Sequence, residues 1–191
     1  MNLKATLKLT AVLLASGGIA SAQQVITFDD LGSDEAPIPA GYAGFNWSSS
    51  FWYLNSNFVP DGYHTGVVSG PNVAYDAYGD SVSFSRATAF DLTSAYLTSA
   101  FFTSQGIEVQ GFNGATEVYD QTYNVTDTGP TLISFGYNDI TSVNFVGAGQ
   151  GTQFVLDNIL VNGGSVPDGG TTSLLLGGTF FVVGLLRRKL A

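Results

Sequence analysis

Alternation of apolar and polar residues along the middle of the chain predicts short β-strands rather than helices. The clearest case is SVSFS at 81–85, where Val82 and Phe84 fall on one face and the serines on the other. FDLTSAYLTSAFF at 90–102 alternates in its second half. No stretch between residues 23 and 165 shows the 3.6-residue period of an amphipathic helix. The middle of the chain is therefore predicted to be all-β.

The strongest local signal is a hairpin. GIEVQGF and ATEVYDQTYNV flank Asn113-Gly114, the pair that favours a type I′ turn. Ile107 and Val109 fall on one face of the first arm. The matching face of the second arm carries Tyr119, Gln121, Tyr123 and Val125. We expect two antiparallel strands joined tightly at residues 113–114.

Further strands are predicted on both sides of this hairpin. They lie at 25–28, at 45–54 with a kink at 48–50, at 132–137, at 142–146 and at 153–161. Residues 34–41, with two prolines, and SGPN at 69–72 are predicted loops. Eight to ten short strands at this spacing indicate an antiparallel sandwich of two sheets.

The first 22 residues match a secretory signal peptide. Lys4 and Lys8 precede an apolar run at 9–19, and Ala20 and Ala22 form an A-x-A cleavage site. We expect signal peptidase to cut after Ala22, and the folded domain to span residues 23–165.

The chain ends in a hinge, an apolar run and a basic cluster. The hinge is VPDGG, formed by Val166, Pro167, Asp168, Gly169 and Gly170. Residues 173–186 carry no charge, and this run is shorter than the roughly 20 residues of a full membrane span. The last part is the basic stop formed by Arg187, Arg188 and Lys189, which by the positive-inside tendency stays cytoplasmic.

This three-part ending at 166–191 resembles the PEP-CTERM class of sorting signals, and specifically its VPDSG-type variant, with Gly169 where that variant has Ser. The resemblance implies a bacterial precursor held in the membrane by a short C-terminal helix. It also implies an exosortase-type membrane enzyme as a partner, and delivery to the cell surface, outer envelope or extracellular matrix. Such systems accompany exopolysaccharide, so an exopolysaccharide partner is expected. The alternative is an ordinary tail anchor or a hydrophobic C-terminal helix.

Charge and composition narrow the functions of the middle region. All 15 carboxylates lie between Asp29 and Asp168, where Arg86 is the single basic residue. Nucleic acid is excluded as a partner, because phosphate binding needs clustered Lys and Arg. The absence of cysteine removes disulfides and thiol catalysis.

The first and last strands suggest a fold family and a metal site. ITFDDL and FVLDNILV resemble the terminal strands of jelly-roll domains related to carbohydrate-binding modules and galactose-binding-like folds. In many such domains these strands are neighbours and hold a structural calcium. The resemblance would assign calcium to Asp29, Asp30, Asp157 and Asn158. Alternatively, the first two cap a turn and Asp157 hydrogen-bonds a loop.

An aromatic cluster offers a second candidate site. Trp47, Phe51, Trp52, Tyr53 and Phe58 crowd one stretch, and Tyr63, Tyr75 and Tyr78 follow. Most of these rings are expected in the core, because alternation sends Phe51 and Tyr53 to one side. Trp47 and Trp52 are the candidates for a surface platform that stacks on sugar rings.

No catalytic residues are predicted. His64 stands alone, no serine has a G-x-S-x-G frame, and no pair of carboxylates is singled out. The favoured hypothesis is a non-enzymatic exported surface or matrix protein associated with exopolysaccharide. A carbohydrate-binding module with a structural calcium is the alternative, and a glycan hydrolase has the least support.

Overall fold

The computed structural model describes residues 22–58, 61–149 and 151–164, and they form ten antiparallel strands. The strands are β1 (Ala22–Ile26), β2 (Ala36–Pro37), β3 (Asn46–Trp47), β4 (Phe51–Asn55), β5 (Asn72–Asp76), β6 (Val82–Ser99), β7 (Gln105–Asn113), β8 (Thr116–Val125), β9 (Thr131–Val146) and β10 (Phe154–Gly164). One four-residue helix, α1 (Gly62–Thr65), and three 3-10 turns, Tyr42–Gly44, Ser56–Phe58 and Ala77–Gly79, complete these ranges. The all-β prediction is confirmed, and these short helical turns are additions to it.

The strand pairings form two layers. The first layer runs β2, β4, β5, the start of β10, the second half of β6 and the start of β9. The second layer contains β3, the first half of β6, the second half of β9, and then β7 and β8. β1 pairs with the second half of β10. This arrangement is the antiparallel jelly-roll-like sandwich that the strand spacing predicts.

Two long strands cross between the layers, where the sequence pattern predicts two strands each. β6 has 18 residues, and its pairing with β9 shifts register between Ser85 and Phe90. β9 has 16 residues and takes positive φ angles at Gly136 (65°) and Asp139 (56°). Bulges of this kind bend a strand without ending it. The polar interruptions in the sequence therefore mark bends rather than loops.

A phenylalanine-rich core fills the space between the layers. Its largest fully buried side chains include Phe28, Phe45, Phe51, Phe84, Phe90, Phe145 and Phe154. Each such ring contributes about 1.5–3 kcal/mol through burial of its apolar surface. The predicted hairpin is confirmed: Ile107 pairs with Tyr123, Asn113 pairs with Thr116, and Gly114 takes a φ of 60° at the turn.

A second, smaller cluster lies on the outer face of the first layer, beneath α1. Its members are Leu54, Tyr63, Val73, Tyr75, Ala77, Ala100 and Val155. The helix lies directly on β6, since a Cβ built on Gly62 would stand 1.8 Å from the Ser99 carbonyl oxygen. β5 contributes Val73 and Tyr75 to this cluster, and it is not among the strands predicted from the sequence. All five of its residues are buried, so its sequence shows no alternation.

The predicted signal peptide at 1–22 and sorting segment at 166–191 lie outside the described residues, except that Ala22 begins β1. Within the described ranges, no helix has the length and apolar character needed to cross a membrane.

Candidate functional site: an aromatic cavity on the outer face

β4 divides its side chains between the two sides of the first layer. Phe51 and Tyr53 enter the main core, whereas Trp52 and Leu54 pack with the outer cluster. This confirms the split that alternation predicts. Trp52 lies directly opposite Tyr75 of β5, and directly opposite residues share a face of the sheet. The two strands together therefore present an aromatic surface outward.

This surface forms the wall of a cavity of about 200 Å³. The cavity is lined by Glu35, Trp52, Leu54, Tyr63, Tyr75, Ala77, Tyr78 and Gln153. Its rings stand nearly perpendicular to one another. Tyr63 and Tyr75 meet at 90° with centroids 5.4 Å apart, and Trp52 and Tyr78 meet at 75° with centroids 6.2 Å apart.

The cavity combines buried and exposed aromatic rings. Tyr63 and Tyr75 are buried, whereas Tyr78 is 58% exposed. Tyr78 also has a φ of 65°, which is an outlier for a bulky residue. The indole N–H of Trp52 donates to the Ser49 carbonyl at 2.9 Å and so orients the ring. Backbone strain of this kind clusters at functional sites, where the surrounding structure holds it in place.

A carboxylate stands at the edge of the cavity. Glu35, on the exposed loop before β2, accepts a hydrogen bond from the Tyr75 hydroxyl. Burial first, and then this bond, raise the pKa of Tyr75 above its ordinary value. Burial also raises the pKa of Tyr63, with smaller contributions from the carboxyls of Asp76 and Glu35.

Asp76 lies behind this face and is fully buried. Its Oδ1 accepts the backbone N–H of Phe154 at 2.6 Å, while its Oδ2 has no hydrogen-bond partner among the described residues. Burial raises the pKa of Asp76 to about 8, although the backbone N–H bonds oppose the shift. A carboxyl in this environment holds its proton at neutral pH.

The other tryptophan occupies a different environment. Trp47 is partly buried against the main core, with ring centroids 4.9 Å from Phe84 and 5.1 Å from Phe51. Its indole N–H donates to the Tyr42 carbonyl at 2.9 Å. Of the two predicted platform residues, only Trp52 lines the cavity. Tyr63, Tyr75 and Tyr78 belong to the aromatic cluster identified from the sequence. No motif or spacing in the sequence links Glu35 to these tyrosines.

The structure brings three of the four predicted calcium ligands together at one serine. Ser69 Oγ lies 3.0 Å from Asp29 Oδ2 and 2.7 Å from Asn158 Oδ1. Asp157 Oδ2 accepts the backbone N–H groups of Val68 and Ser69 at 2.7 and 3.0 Å, as the hydrogen-bonding alternative expects.

Asp30, the fourth predicted ligand, is separate from this cluster. Its carboxylate accepts the Tyr42 hydroxyl at 2.6 Å. Burial and this bond raise the pKa of Tyr42.

The oxygen atoms at Ser69 are of the chemical type that calcium prefers, but they are few. Asp29, Ser69 and Asn158 place three oxygens close together, and the single Ser69 hydroxyl proton serves both of the other oxygens. A bound cation would satisfy all three oxygens. A flipped Asn158 amide, which would donate an N–H to Ser69, would also satisfy them. Calcium takes six to eight oxygen ligands. The described residues contain no group of three or more His, Cys, Asp or Glu side chains able to hold a metal. Calcium binding therefore stays a prediction.

Comparison with known sequences decides the nature of the C-terminus. The family model of the VPDSG-CTERM motif matches residues 165–190. These residues are a C-terminal sorting signal. The matched segment contains the predicted motif at 166–170 and the basic stop at 187–189. A search of the curated proteins gives no significant match to the chain.

Comparison with solved structures yields sugar-binding and adhesin domains. The K2 cleaved adhesin domain of Lys-gingipain is 14% identical, with a TM-score of 0.48, covering 74% of this chain and 99% of that one. The tandem CBM22 domain of Paenibacillus barcinonensis Xyn10C is 13% identical, with a TM-score of 0.46, covering 82% and 50%. The family 32 module of C. perfringens NanJ, solved with galactose, is 15% identical, with a TM-score of 0.32, covering 74% and 98%. Identities this low carry no information on ligand or activity.

Proposed function

We propose that this chain is a non-enzymatic, exported bacterial protein of the cell surface or extracellular matrix, sorted by an exosortase-type enzyme. The observation that carries the proposal is the sorting signal at 165–190. The signal peptide predicted at 1–22 supports export from the other end of the chain.

The layout of the C-terminus fits removal of the sorting signal. The VPDGG motif begins two residues after Gly164, where β10 ends, so a cut there would leave all ten described strands intact. The uncharged run at 173–186 is too short for a comfortable permanent span, which suits transient holding at the membrane. We propose that the precursor is membrane-anchored and the mature protein is released to the outside.

Cell fractionation with intact-mass analysis tests this proposal. The mature protein should begin at Gln23 and lack the segment after the motif. Asp168→Ala should leave the tail attached and the protein in the inner membrane. Asp34→Ala, which changes an exposed loop carboxylate of the domain, should be processed normally. A wild-type protein that still ends at Ala191 would overturn the sorting proposal.

The cavity supports a second function, binding of exopolysaccharide by the sandwich. Aromatic rings present faces that stack on the CH faces of sugars, and the polar Glu35 and Gln153 can orient a ligand. Catalysis has less support. Glycosidases generally place two carboxyl groups about the scissile bond. Among the described lining residues, Glu35 is the one carboxylate, and Asp76 behind the wall is fully buried.

A glycan array with purified full-length protein tests this binding function. The wild type should bind at least one polysaccharide, and Trp52→Ala should lose that binding. Leu132→Ala removes an exposed apolar side chain of β9 outside the cavity and should bind as the wild type does. Equal binding by Trp52→Ala would place the glycan elsewhere on the protein.

A further inference from the structure

We infer that the aromatic cavity selects sugars that carry a protonated amine, such as de-N-acetylated hexosamines. The inference rests on the proposed glycan-binding function and names the ligand class of the same cavity. Two observations support it. The cavity combines perpendicular aromatic rings with the carboxylate of Glu35, and Arg86 lies outside its lining.

The charge of the cavity favours a cation. Glu35 is the single charged side chain among its described lining residues. Arg86, the one basic residue between residues 22 and 164, packs elsewhere, with its guanidinium carbon 4.9 Å from the ring centroids of both Phe45 and Phe90. An ammonium group would meet a complementary field here, whereas a uronate carboxylate would be repelled.

The aromatic walls suit the same ligand. A cation near a ring face is attracted by the quadrupole of the ring, most strongly for tryptophan. Trp52 and Tyr78 stand at 75° and Tyr63 and Tyr75 at 90°, so faces and edges surround the space from several directions. These rings also accept the CH face of a pyranose. An amino sugar therefore uses both the rings and the carboxylate, whereas a neutral sugar uses the rings alone.

The size of the cavity limits how much of a polymer it can hold. At about 200 Å³ it is smaller than the pockets of roughly 300–1,000 Å³ that hold drug-sized ligands. One sugar unit, rather than an extended oligosaccharide, would enter it. Selectivity is then set by the substituents of a single ring, and the amine is the substituent that Glu35 can recognise.

Calorimetric titration of the full-length protein in mild detergent tests the inference. The probes are the glucosamine hexamer, its fully N-acetylated counterpart, cellohexaose and a galacturonate hexamer. We expect the glucosamine hexamer to bind at least tenfold more tightly than the N-acetylated one. The preference should shrink in high salt, because screening weakens exposed charge pairs. The galacturonate hexamer should bind most weakly.

Glu35→Gln isolates the contribution of the carboxylate. The amide oxygen still accepts the Tyr75 hydroxyl, so the wall is preserved while the charge is lost. The variant should lose at least fivefold in affinity for the glucosamine hexamer and little for neutral probes. Glu117→Gln removes an exposed carboxylate of β8 that does not line the cavity, and it should retain wild-type binding.

The outcomes separate the inference from the function on which it rests. Equal affinity for the amine and N-acetyl probes, or unchanged amine binding by Glu35→Gln, would overturn the amine preference and leave glycan binding intact. Preference for the galacturonate hexamer would also overturn it. Failure to bind any glycan, here and on the array, would remove both.

Discussion

Gly70 packs directly against the carboxylate of Asp29: a Cβ built at residue 70 would lie 2.0 Å from Asp29 Oδ1. The same oxygen accepts the backbone N–H of Asn72 at 3.3 Å. Gly70 has a φ of 52°, in the left-handed region that favours glycine. The contact joins the chain after β1 to the loop before β5, so only glycine fits this position.

Gly70→Ala should therefore destabilise the domain strongly. The left-handed backbone costs an alanine about 1–2 kcal/mol. Displacement of the Asp29 carboxylate from its hydrogen bonds adds about 1–3 kcal/mol. The free energy of unfolding in urea should fall by about 2–5 kcal/mol. Gly114→Ala is the matched control, because its φ is 60° but its Cβ would meet open space. Equal losses in the two variants would show that the contact with Asp29 has no energetic weight.

Replacement of Tyr78 by asparagine should stabilise the domain and weaken glycan binding. Asparagine tolerates the left-handed region better than tyrosine, and the Tyr78 ring is largely exposed. Tyr78→Asn should raise the free energy of unfolding by about 0.5–1 kcal/mol, since it relieves strain that costs about 1–3 kcal/mol. The same variant should weaken glycan binding, because one aromatic wall of the cavity is lost. A loss of stability would mean that packing of Tyr78 on Trp52 outweighs the backbone strain.

Asp76 should make stability fall as pH rises. Its pKa is about 8 in the folded protein against an ordinary 3.8, so the folded state keeps a proton that the unfolded chain releases. Stability is therefore greatest below about pH 4 and is lost progressively up to about pH 8, with a slope of at most about 1.4 kcal/mol per pH unit. Asp157, whose burial raises its pKa to about 6, acts in the same direction over the lower part of this range.

Urea unfolding of Asp76→Asn between pH 6 and 8 isolates the effect. The amide oxygen can still accept the Phe154 N–H, but the group no longer titrates. The wild type should lose up to about 2.7 kcal/mol across this interval, and the variant should change little. Asp120→Asn, on the exposed strand β8, should follow the wild-type curve. A parallel decline in both variants would assign the pH dependence to other groups.

Thermal unfolding with calcium and with chelator tests the cluster at Ser69. A bound ion stabilises the folded state by mass action, by about 2.7 kcal/mol at a hundredfold excess over Kd. Calcium should then raise Tm in the wild type and not in Asp29→Asn, which removes one carboxylate of the set. An unchanged midpoint in the wild type would leave hydrogen bonds alone to hold this part of the fold.

Turn residues and two-residue alternation in the sequence were sufficient to predict most of the strands. The hairpin at residues 113–114 follows from the turn chemistry of Asn-Gly, and the split between Phe51 and Trp52 follows from the two-residue period of a strand. β5 escaped prediction because Asn72 and Asp76, which look like turn residues, are buried and hydrogen-bonded. β6 and β9 looked like pairs of strands because a bulge and a loop have similar residue types.

Processing signals are read as linear segments, so the motif at 166–170 and its flanking runs could be recognised without a fold. The cavity could not be predicted in this way. It joins Glu35, Trp52, Tyr63, Tyr75 and Gln153, which are far apart in the chain and lie on different elements. Register places Trp52 opposite Tyr75, and the packing of α1 on β6 brings Tyr63 over them. Periodicity assigns a side chain to a face, but long-range pairing selects the neighbours on that face, and those neighbours define the chemistry of the cavity.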